Sequence, residues 1–428
     1  MNRARTALFG AALLLGSAAR LPALGNWTPV VTLDSRIPLE IAPSRQIPPG
    51  DTYYQPVLFD LATNSLEIVR VDLTVDPPTA SPIVVTVANV FALGAAVQIA
   101  DRIGFSFVDN LFDLRFGGCD EPCASTFNNL VNAGTWLDSF SAASGDDLYV
   151  GAVDNAANNG ATIWRSTDNG ATWTVLNTLV PPDSGGIYEN FDGGKRLNLT
   201  VDPTATNPAT TRNCLLYETL PSPFTATNIH LNCRDGATND FDVVVGNDIP
   251  NAGGTFDRYI GDVCAIADDG SGGFNNVCLY SDRQTGQVRI VHVDDSGGVT
   301  GPVDLAPVPA GTEFFELALT KLSPGYPGVR ILFPSGPGTP ANDVEWSAEA
   351  GDFSRQGPPV DVGPVAENFW YYDSGDVLNG LLIIFAKWSL LVEAPDGGGG
   401  LVMSMYRLPI FEDGFETNNA LRWDFQAP

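Results

Sequence analysis

The sequence predicts an all-β protein, a β-propeller of about seven blades with four antiparallel strands in each blade. Short runs of Val, Ile, Leu, Tyr and Phe alternate with clusters of Gly, Asp, Asn, Ser and Pro, a pattern typical of strands and hairpins. The chain also has 44 Gly and 32 Pro, spread throughout, so few windows can hold an uninterrupted helix. The strand clusters recur at intervals of roughly 50 residues, the length of one four-stranded blade.

The blade count depends on where each repeat is taken to begin, and six or eight blades would also fit the spacing. A pair of β-sandwich domains is the alternative, but sandwiches have no reason to repeat at this interval. A chain of 428 residues also exceeds the size at which one hydrophobic core keeps growing, and a repeat architecture solves that problem. The strand starts used for the count are Tyr54, Phe105, Phe140, Leu197, Cys264, Leu317 and Phe369.

The two ends of the chain differ from this pattern. Arg3 and Arg5 precede an apolar run of 13 residues, Ala7–Ala19, and small residues follow near Gly25, which is the organisation of a secretory signal. The run is shorter than the roughly 20 residues of a membrane-spanning helix, and no later stretch is a candidate span. We therefore predict a secreted or otherwise extracytoplasmic protein. Its three segments are a signal peptide at 1–25, a propeller at 26–408 and a C-terminal tail at 409–428.

The charge of the chain excludes several kinds of partner. The formal net charge is −28, and lysine occurs at only three positions. Nucleic acids and anionic membranes both need clustered Lys and Arg, so neither is expected as a partner. Surface carboxylates are compatible with calcium, but acidity for solubility is the favoured explanation, and no calcium-loop pattern occurs. We expect a monomer without a metal or other cofactor, with calcium as the alternative.

Six cysteines fall into three local groups. Fifteen connectivities are formally open, and proximity along the chain favours the three local pairs. A zinc site is less favoured because no second Cys or His pair follows the first group, and export also favours disulfides. The three pairs are Cys119 with Cys123, Cys214 with Cys233, and Cys264 with Cys278.

The sharpest local pattern is Ser166-Thr-Asp168-Asn-Gly170-Ala-Thr-Trp173, between two strand-like runs. The carboxylate of Asp168 can accept backbone N–H groups across the turn that must join these strands. Gly170 can supply the positive φ that such a turn needs. Trp173 can then cover the hairpin with a large apolar face.

This segment matches in full the Asp-box, S-x-D-x-G-x-x-W, and it resembles one blade of the sialidase-like (bacterial neuraminidase repeat) propellers. In that superfamily the Asp-box is a structural element on the rim, away from the active site. The resemblance therefore implies the fold and not a catalytic activity.

A second segment, 258–286, resembles a blade of secreted sialidase-like proteins that carries an IGDY sequence followed by D-x-R-x-G. Val263 stands in place of the aromatic residue, and the second motif is shifted. Asp282 and its neighbours also resemble a degenerate Asp-box. The candidate binding residues in this segment are Arg258, Asp262, Asp282 and Arg283.

The resemblance invites a search for the sialidase machinery, which comprises three arginines, a Tyr–Glu nucleophile pair and an Asp acid/base. Arg36 lies in an Arg-Ile-Pro sequence that resembles the motif of the first arginine, although the strand pattern that usually follows is missing. Arg258 and Arg283 are candidates for the other two arginines, and Tyr371 or Tyr372 for the nucleophile. No spacing supports these assignments, so the catalytic residues are not identified.

The C-terminal segment Phe411-Glu-Asp-Gly-Phe-Glu-Thr417 resembles a short DGFE-type tail of many secreted bacterial proteins, with Asn418 where the usual Gly stands. A terminal strand that docks its aromatic residues on the last blade is the alternative.

Three functions remain in competition. The first is a non-catalytic extracellular propeller that binds a glycan or a protein ligand. The second is a sialidase-like exo-glycoside hydrolase, and the third is a structural surface protein without a small ligand. We favour the first because the one complete motif is structural and no catalytic signature accompanies it.

Overall fold

A computed structural model gives the fold of the protein. For the strands after residue 302 it gives the course of the backbone. The predicted signal peptide and the predicted tail lie outside the described residues. The residues that the structure describes are 27–36, 38–41, 45–47, 52–59, 65–72, 75, 77–87, 90–99, 101–154, 160–182, 197–201, 207, 209–219, 226–250, 262–268, 274–282, 287–307, 318–323, 326–334, 341–347, 352–356, 369–373, 388–393 and 401–407.

The described residues contain strands and turns and no helix, and hence no helix that could span a membrane. The strands form seven antiparallel sheets, which we number in chain order. The first strand, β1 (Trp27–Asp34), belongs to the last sheet. Sheet 1 contains β2 (Pro38–Ile41), β3 (Arg45–Ile47), β4 (Thr52–Phe59), β5 (Ser65–Asp72) and β6 (Thr79–Val87). Sheet 2 contains β7 (Val90–Ile99), β8 (Arg102–Asp109), β9 (Leu114–Asp120) and β10 (Thr126–Asn132).

The next two sheets have the same up-and-down order as sheet 2. Sheet 3 contains β11 (Trp136–Ser144), β12 (Asp147–Asp154), β13 (Ala161–Ser166) and β14 (Thr174–Leu179). Sheet 4 contains β15 (Leu197–Val201), β16 (Arg212–Thr219), β17 (Ala226–Asp235) and β18 (Thr238–Pro250).

The remaining sheets repeat this order, with a difference in the last. Sheet 5 contains β19 (Asp262–Asp268), β20 (Phe274–Asp282), β21 (Gln287–Val293) and β22 (Val299–Pro307). Sheet 6 contains β23 (Ala318–Ser323), β24 (Tyr326–Pro334), β25 (Ala341–Ser347) and β26 (Asp352–Gln356). Sheet 7 contains β27 (Phe369–Asp373), β28 (Trp388–Glu393) and β29 (Leu401–Arg407), and its fourth strand is β1.

The sheets close into a propeller because the two ends of the described chain share sheet 7. β1 pairs with β29, and Trp27 lies opposite Tyr406 in the register. The first strands of successive sheets contact each other in turn, from β7 to β11 and onward to β27. The predicted all-β propeller is thus confirmed, and closure leaves the ring without a gap between its first and last strands.

The order of the strands gives the propeller two different faces. Neighbouring strands are antiparallel, so the hairpins between first and second strands and between third and fourth strands lie at the same end of a sheet. We call this end the hairpin face. The hairpins between second and third strands lie at the other end, together with the links from one sheet to the next, and we call this end the connection face.

The hydrophobic core is divided among the spaces between neighbouring sheets. Strand β12 shows why, because Leu148 and Val150 pack toward sheet 2 whereas Tyr149 and Val153 pack toward sheet 4. Successive side chains of a strand point to opposite faces, and both faces of each sheet are covered here. This double burial accounts for the nearly continuous apolar runs that the sequence shows.

Two of the three predicted disulfides are formed between described side chains. Cys119 is bonded to Cys123, which closes the turn after β9, and Cys214 is bonded to Cys233 across β16 and β17. For the third predicted pair, Cys278 is disulfide-bonded and lies opposite Cys264 in the register of β19 and β20.

The two disulfides are expected to differ in their contribution to stability because they close loops of different length. The residues of the Cys214–Cys233 bridge are 19 apart in the sequence, and those of Cys119–Cys123 are 4 apart. In the chain-entropy model, removal of the longer bridge by a double Cys→Ala change costs about 3 kcal/mol and removal of the shorter about 2 kcal/mol. Denaturant unfolding of both variants measures the difference, and an equal loss from the two would contradict the entropic explanation.

Candidate functional site

The Asp-box residues form a closed turn between β13 and β14, which we call the sheet 3 corner (Ser166–Trp173). The hydroxyl of Ser166 donates to Asp168 Oδ1 at 2.8 Å and accepts the N–H of Gly170 at 2.8 Å. Asp168 Oδ1 accepts the N–H of Thr172, and the Thr172 hydroxyl donates to the other carboxylate oxygen. These hydrogen bonds from Thr172 hold the pKa of Asp168 below its usual range.

The sheet 3 corner also packs against the preceding sheet. The carbonyl of Gly170 accepts hydrogen bonds from Trp173 Nε1 at 3.2 Å and from Asn129 of sheet 2 at 2.8 Å. The Trp173 ring meets Phe116 edge to face, with 5.3 Å between the ring centroids. Arg102 of sheet 2 donates to the carbonyl of Asn169. The corner thus joins two sheets on the hairpin face, and no catalytic arrangement forms around it within the described residues.

A second turn resembles the sheet 3 corner in its place between third and fourth strands and in its hydrogen bonds. The Asp-box pattern does not detect this turn. This sheet 5 corner (Asp294–Gly298) joins β21 to β22, the third and fourth strands of sheet 5. Asp294 Oδ1 accepts the N–H of Gly298 at 2.7 Å, and the Ser296 hydroxyl helps to hold the pKa of Asp294 below its usual range. Gly297 has a φ of +85° and lies against Phe241 of sheet 4, as Gly170 lies against Phe116.

The interpretation of Asp282 as part of a degenerate Asp-box stays a prediction, because residues 283–286 lie outside the described residues. Asp282 ends β20, the second strand of sheet 5, so it lies at the connection-face end of that sheet. The two corners described above follow third strands, on the hairpin face.

Arg36 lies in the link from sheet 7 to sheet 1, on the connection face. Its guanidinium donates to Asp34 Oδ2 at 2.7 Å and to the two oxygens of Glu67 at 2.8 and 2.7 Å. The hydroxyl of Ser65 donates to Glu67 at 2.6 Å, and the Glu67 side chain is 3% exposed. The hydrogen bonds from Arg36 lower the pKa of Asp34. This geometry favours a role in joining two sheets over binding the carboxylate of a ligand.

The other predicted binding residues are described only in part. Arg258 and Arg283 lie outside the described residues. Asp262 is the first residue of β19 and Asp282 the last of β20, so both lie at the connection-face end of sheet 5. Tyr371 and Tyr372 lie in β27, for which the backbone alone is described. The binding role of these residues stays a prediction.

A cluster of six polar side chains lies between sheets 3 and 4, and the sequence interpretation did not include it. The β-register brings it together: Tyr217 lies opposite His230, and Asn232 lies opposite Asp242. Leu231 and Cys233 of β17 pack toward sheet 5, which leaves the alternate positions of this strand for the side that faces sheet 3. We call it the Asp242 cluster; its members are Asn177, Tyr217, His230, Asn232, Arg234 and Asp242.

Asp242 is the centre of this cluster. The Tyr217 hydroxyl and Asn232 Nδ2 donate to Oδ2 at 2.7 and 3.2 Å, and His230 Nδ1 lies 3.2 Å from Oδ1. The Tyr217 and His230 rings stack, with 5.1 Å between their centroids. Tyr217 and His230 are 0% and 3% exposed, whereas the Asp242 side chain is 24% exposed. A fixed carboxylate therefore forms the accessible edge of a buried polar network.

Arg234 connects the cluster to sheet 3. Its Nε donates to Asn232 Oδ1 at 2.8 Å, and its Nη1 donates to Asn177 Oδ1 on β14. Arg234 is half-buried, and this burial lowers the pKa of its guanidinium, although the negative charge of Asp242 acts in the opposite direction. The boundary between the two sheets thus contains a carboxylate, a guanidinium and amide groups at fixed positions.

Comparison with known proteins shows the fold alone. No family model and no curated protein matches the chain in sequence. Among solved structures, it is similar to the BP39L lectin from Burkholderia pseudomallei, with a TM-score of 0.55, 12% identity, and coverage of 87% of this chain and 96% of the lectin. The polysaccharide lyase Uly1 gives a TM-score of 0.51 and 10% identity, with 90% of this chain and 98% of the lyase covered.

A second polysaccharide lyase, the PL25 ulvan lyase, gives a TM-score of 0.50 and 9% identity, with 91% of this chain and 96% of the lyase covered. Lectins and polysaccharide lyases thus share this architecture. The closer resemblance to sialidase-like propellers, drawn from the Asp-box, stays a prediction.

The expectation of a chain without a metal, with calcium as the alternative, stays a prediction. Within the described ranges, no group of three or more His, Cys, Asp or Glu side chains is placed to hold a metal ion. The Asp242 cluster contains one carboxylate, whereas a calcium site takes six to eight oxygen ligands.

Proposed function

We propose that the chain is an extracytoplasmic, non-catalytic propeller that binds a glycan at the exposed edge of the Asp242 cluster, between sheets 3 and 4. The observation that carries this proposal is the partly exposed carboxylate of Asp242, which three neighbouring side chains hold in place. A sugar hydroxyl can donate to such a carboxylate and accept from a nearby amide or guanidinium. Convergent, pre-positioned polar groups of this kind set orientation and specificity in ligand sites.

The architecture and the disulfides support the location and class of this function. The solved structures with this fold include a carbohydrate-binding lectin and polysaccharide lyases. Disulfides persist in oxidising compartments, which agrees with the predicted signal peptide. Both features suit a protein that meets glycans outside the cytoplasm.

The burial of the cluster supports binding without catalysis. Glycoside hydrolysis generally needs two carboxyl groups on either side of the scissile bond, and the Asp242 cluster contains one. Tyr217 and His230 have suitable acid–base chemistry, but they are buried behind Asp242, where a substrate proton is out of reach. Their hydrogen bonds to Asp242 instead fix the position of the carboxylate.

Asp242→Asn is expected to weaken glycan binding at least about tenfold, because a hydrogen bond to a charged group contributes about 1.5–3 kcal/mol. The amide can still accept from Tyr217 and Asn232, so the fold should persist. Asp146→Asn is the matched control, since it removes the same charge from an exposed turn on the hairpin face. A glycan array identifies the ligand, and calorimetry with the three proteins measures the change.

Two results would contradict the proposal. If the wild-type chain binds no glycan on the array, the proposed glycan-binding function is wrong. If the wild type and Asp242→Asn bind the glycan with equal affinity, the Asp242 cluster is not the binding site. Turnover of a fluorogenic sialoside by the wild type would contradict the non-catalytic part and favour the sialidase-like alternative.

A further inference from the structure

Arg234 forms no salt bridge with a described carboxylate, unlike six other arginines of the described residues. Those six arginines each form a salt bridge with at least one Asp or Glu. Arg234 instead donates to the neutral amide oxygens of Asn232 and Asn177, and no carboxylate of the described residues pairs with it. The six salt-bridged arginines are Arg36, Arg70, Arg102, Arg115, Arg165 and Arg212.

The absence of a direct salt bridge from Arg234 to a described carboxylate is unexpected in such an acidic chain, although the negative charge of Asp242 acts on the guanidinium from nearby. The sequence has 50 Asp and Glu against 22 Lys and Arg, so carboxylates are abundant. Asp242 is the acidic residue of the cluster, but its two oxygens already accept from Tyr217, His230 and Asn232. A guanidinium stays protonated in proteins, so the charge of Arg234 persists in the cluster and favours an anionic partner.

Asn177 holds Arg234 in place from sheet 3. The residue is 9% exposed, and its Oδ1 accepts from Arg234 Nη1. Its Nδ2 has no partner among the described residues, but this atom is buried and lies out of reach of a ligand. Asn177 therefore acts through its Oδ1, which fixes the position of the guanidinium.

The surface of the described residues also favours polar over stacking interactions. The large hydrophobic side chains that are exposed there are Val and Leu, among them Val175 and Val180 of the region around β14 and Val244 of β18. None of them offers the aromatic face on which a neutral sugar ring could stack. Among the described side chains, the Asp242 cluster therefore offers hydrogen bonds and charge to a ligand.

We infer that Arg234, held in place by Asn177, recognises an oxyanion of an acidic glycan, either the carboxylate of a uronic acid or a sulfate ester. This inference rests on the proposed glycan-binding function and adds the class of sugar. A planar guanidinium can donate two parallel hydrogen bonds to either group. Asp242 is then free to accept from the sugar hydroxyl groups beside the anion.

The experiment compares acidic oligosaccharides with neutral partners of the same backbone. The probes are an oligogalacturonate and its carboxyl-reduced form, and a sulfated carrageenan oligosaccharide and its desulfated form. Calorimetry with the full mature chain at physiological salt should give at least about tenfold tighter binding of one acidic member than of its neutral partner. The pair that shows the preference distinguishes a carboxylate from a sulfate.

Arg234→Gln should abolish this preference, so that the affinity ratio of the acidic and neutral members falls to about one. Arg165→Gln is the control: Arg165 is also half-buried, but it is paired with Asp147 at 2.8 Å. Arg234→Lys keeps the charge and loses the planar fork, so it should retain part of the preference. If Arg234→Gln fails to fold, the Lys variant carries the test.

The outcomes separate this inference from the proposed function. Equal binding of acidic and neutral members by the wild type, or an unchanged preference in Arg234→Gln, would overturn the role of Arg234 and leave glycan binding intact. Absence of binding to every probe and to the glycan array would overturn the proposed function itself.

Discussion

Gly170→Val is expected to lower the free energy of unfolding by about 4 kcal/mol, because a left-handed backbone costs a branched residue about 1–2 kcal/mol and overpacking adds about 1–3 kcal/mol. Gly170 has a φ of +79°, and a Cβ atom there would lie 2.8 Å from Cδ1 and 2.9 Å from Cε1 of Phe116. Phe116 is fully buried in the core between sheets 2 and 3, so its ring has little room to move.

Gly145→Val provides the control for the backbone contribution. Gly145 also lies on the hairpin face of sheet 3 with a positive φ, of 54°, but it is exposed to solvent. The substitution there should cost only the backbone part, about 1–2 kcal/mol. Chemical denaturation of the two variants measures the difference. Equal losses would show that the contact with Phe116 does not constrain the corner.

The comparison of the two corners shows what the Asp-box pattern predicts and what it misses. Both corner turns share two physical features. A carboxylate accepts the N–H of the residue four positions later, and a glycine with positive φ packs against an aromatic ring of the preceding sheet. The sequence of the sheet 3 corner has them in the motif form. The sheet 5 corner has them with Asp294 and Gly297 in a shorter turn that lacks the Ser and Trp of the motif.

The strands could be predicted because their signal is local. Alternate side chains of a strand such as β12 enter two different core regions, so apolar residues are dense along it, and polar turn residues separate it from its neighbours. The cysteine pairs could be predicted for the same reason, since the residues of both described bridges lie within 19 positions of each other.

The Asp242 cluster could not be predicted because its signal is not local. Arg234 and Asn177 are 57 positions apart, on different sheets, and they meet only after those sheets pack together. Tyr217 and His230 stack because the register of β16 and β17 sets them opposite each other. The sequence shows a His inside an apolar run, which has no distinguishing pattern until the register and the neighbouring sheet are known.

Arg36→Met is expected to lower the free energy of unfolding by about 4 kcal/mol, within the 3–5 kcal/mol found when one partner of a buried ion pair is removed. The loss comes chiefly from Glu67, whose 3% exposed side chain would lose the guanidinium and retain Ser65 as its one described side-chain donor. The Arg36–Glu67 pair also joins the link after sheet 7 to sheet 1. Its removal therefore weakens the contact between the first and last sheets of the ring. Denaturant unfolding at neutral pH measures the loss of stability.

The double variant Arg36→Met with Glu67→Gln tests this explanation, because it removes the buried charge together with its partner. Such paired replacements are often close to neutral, so most of the lost stability should return.

The pH dependence gives a second test. The pKa of Asp34 is lowered in the folded protein, so its contribution is complete above the unfolded value near 3.8 and is lost as the pH falls below it. The stability difference between wild type and Arg36→Met should therefore be constant above about pH 5 and shrink toward pH 3. A difference that does not change over this interval would show that the ion pair of Arg36 with Asp34 does not contribute to it.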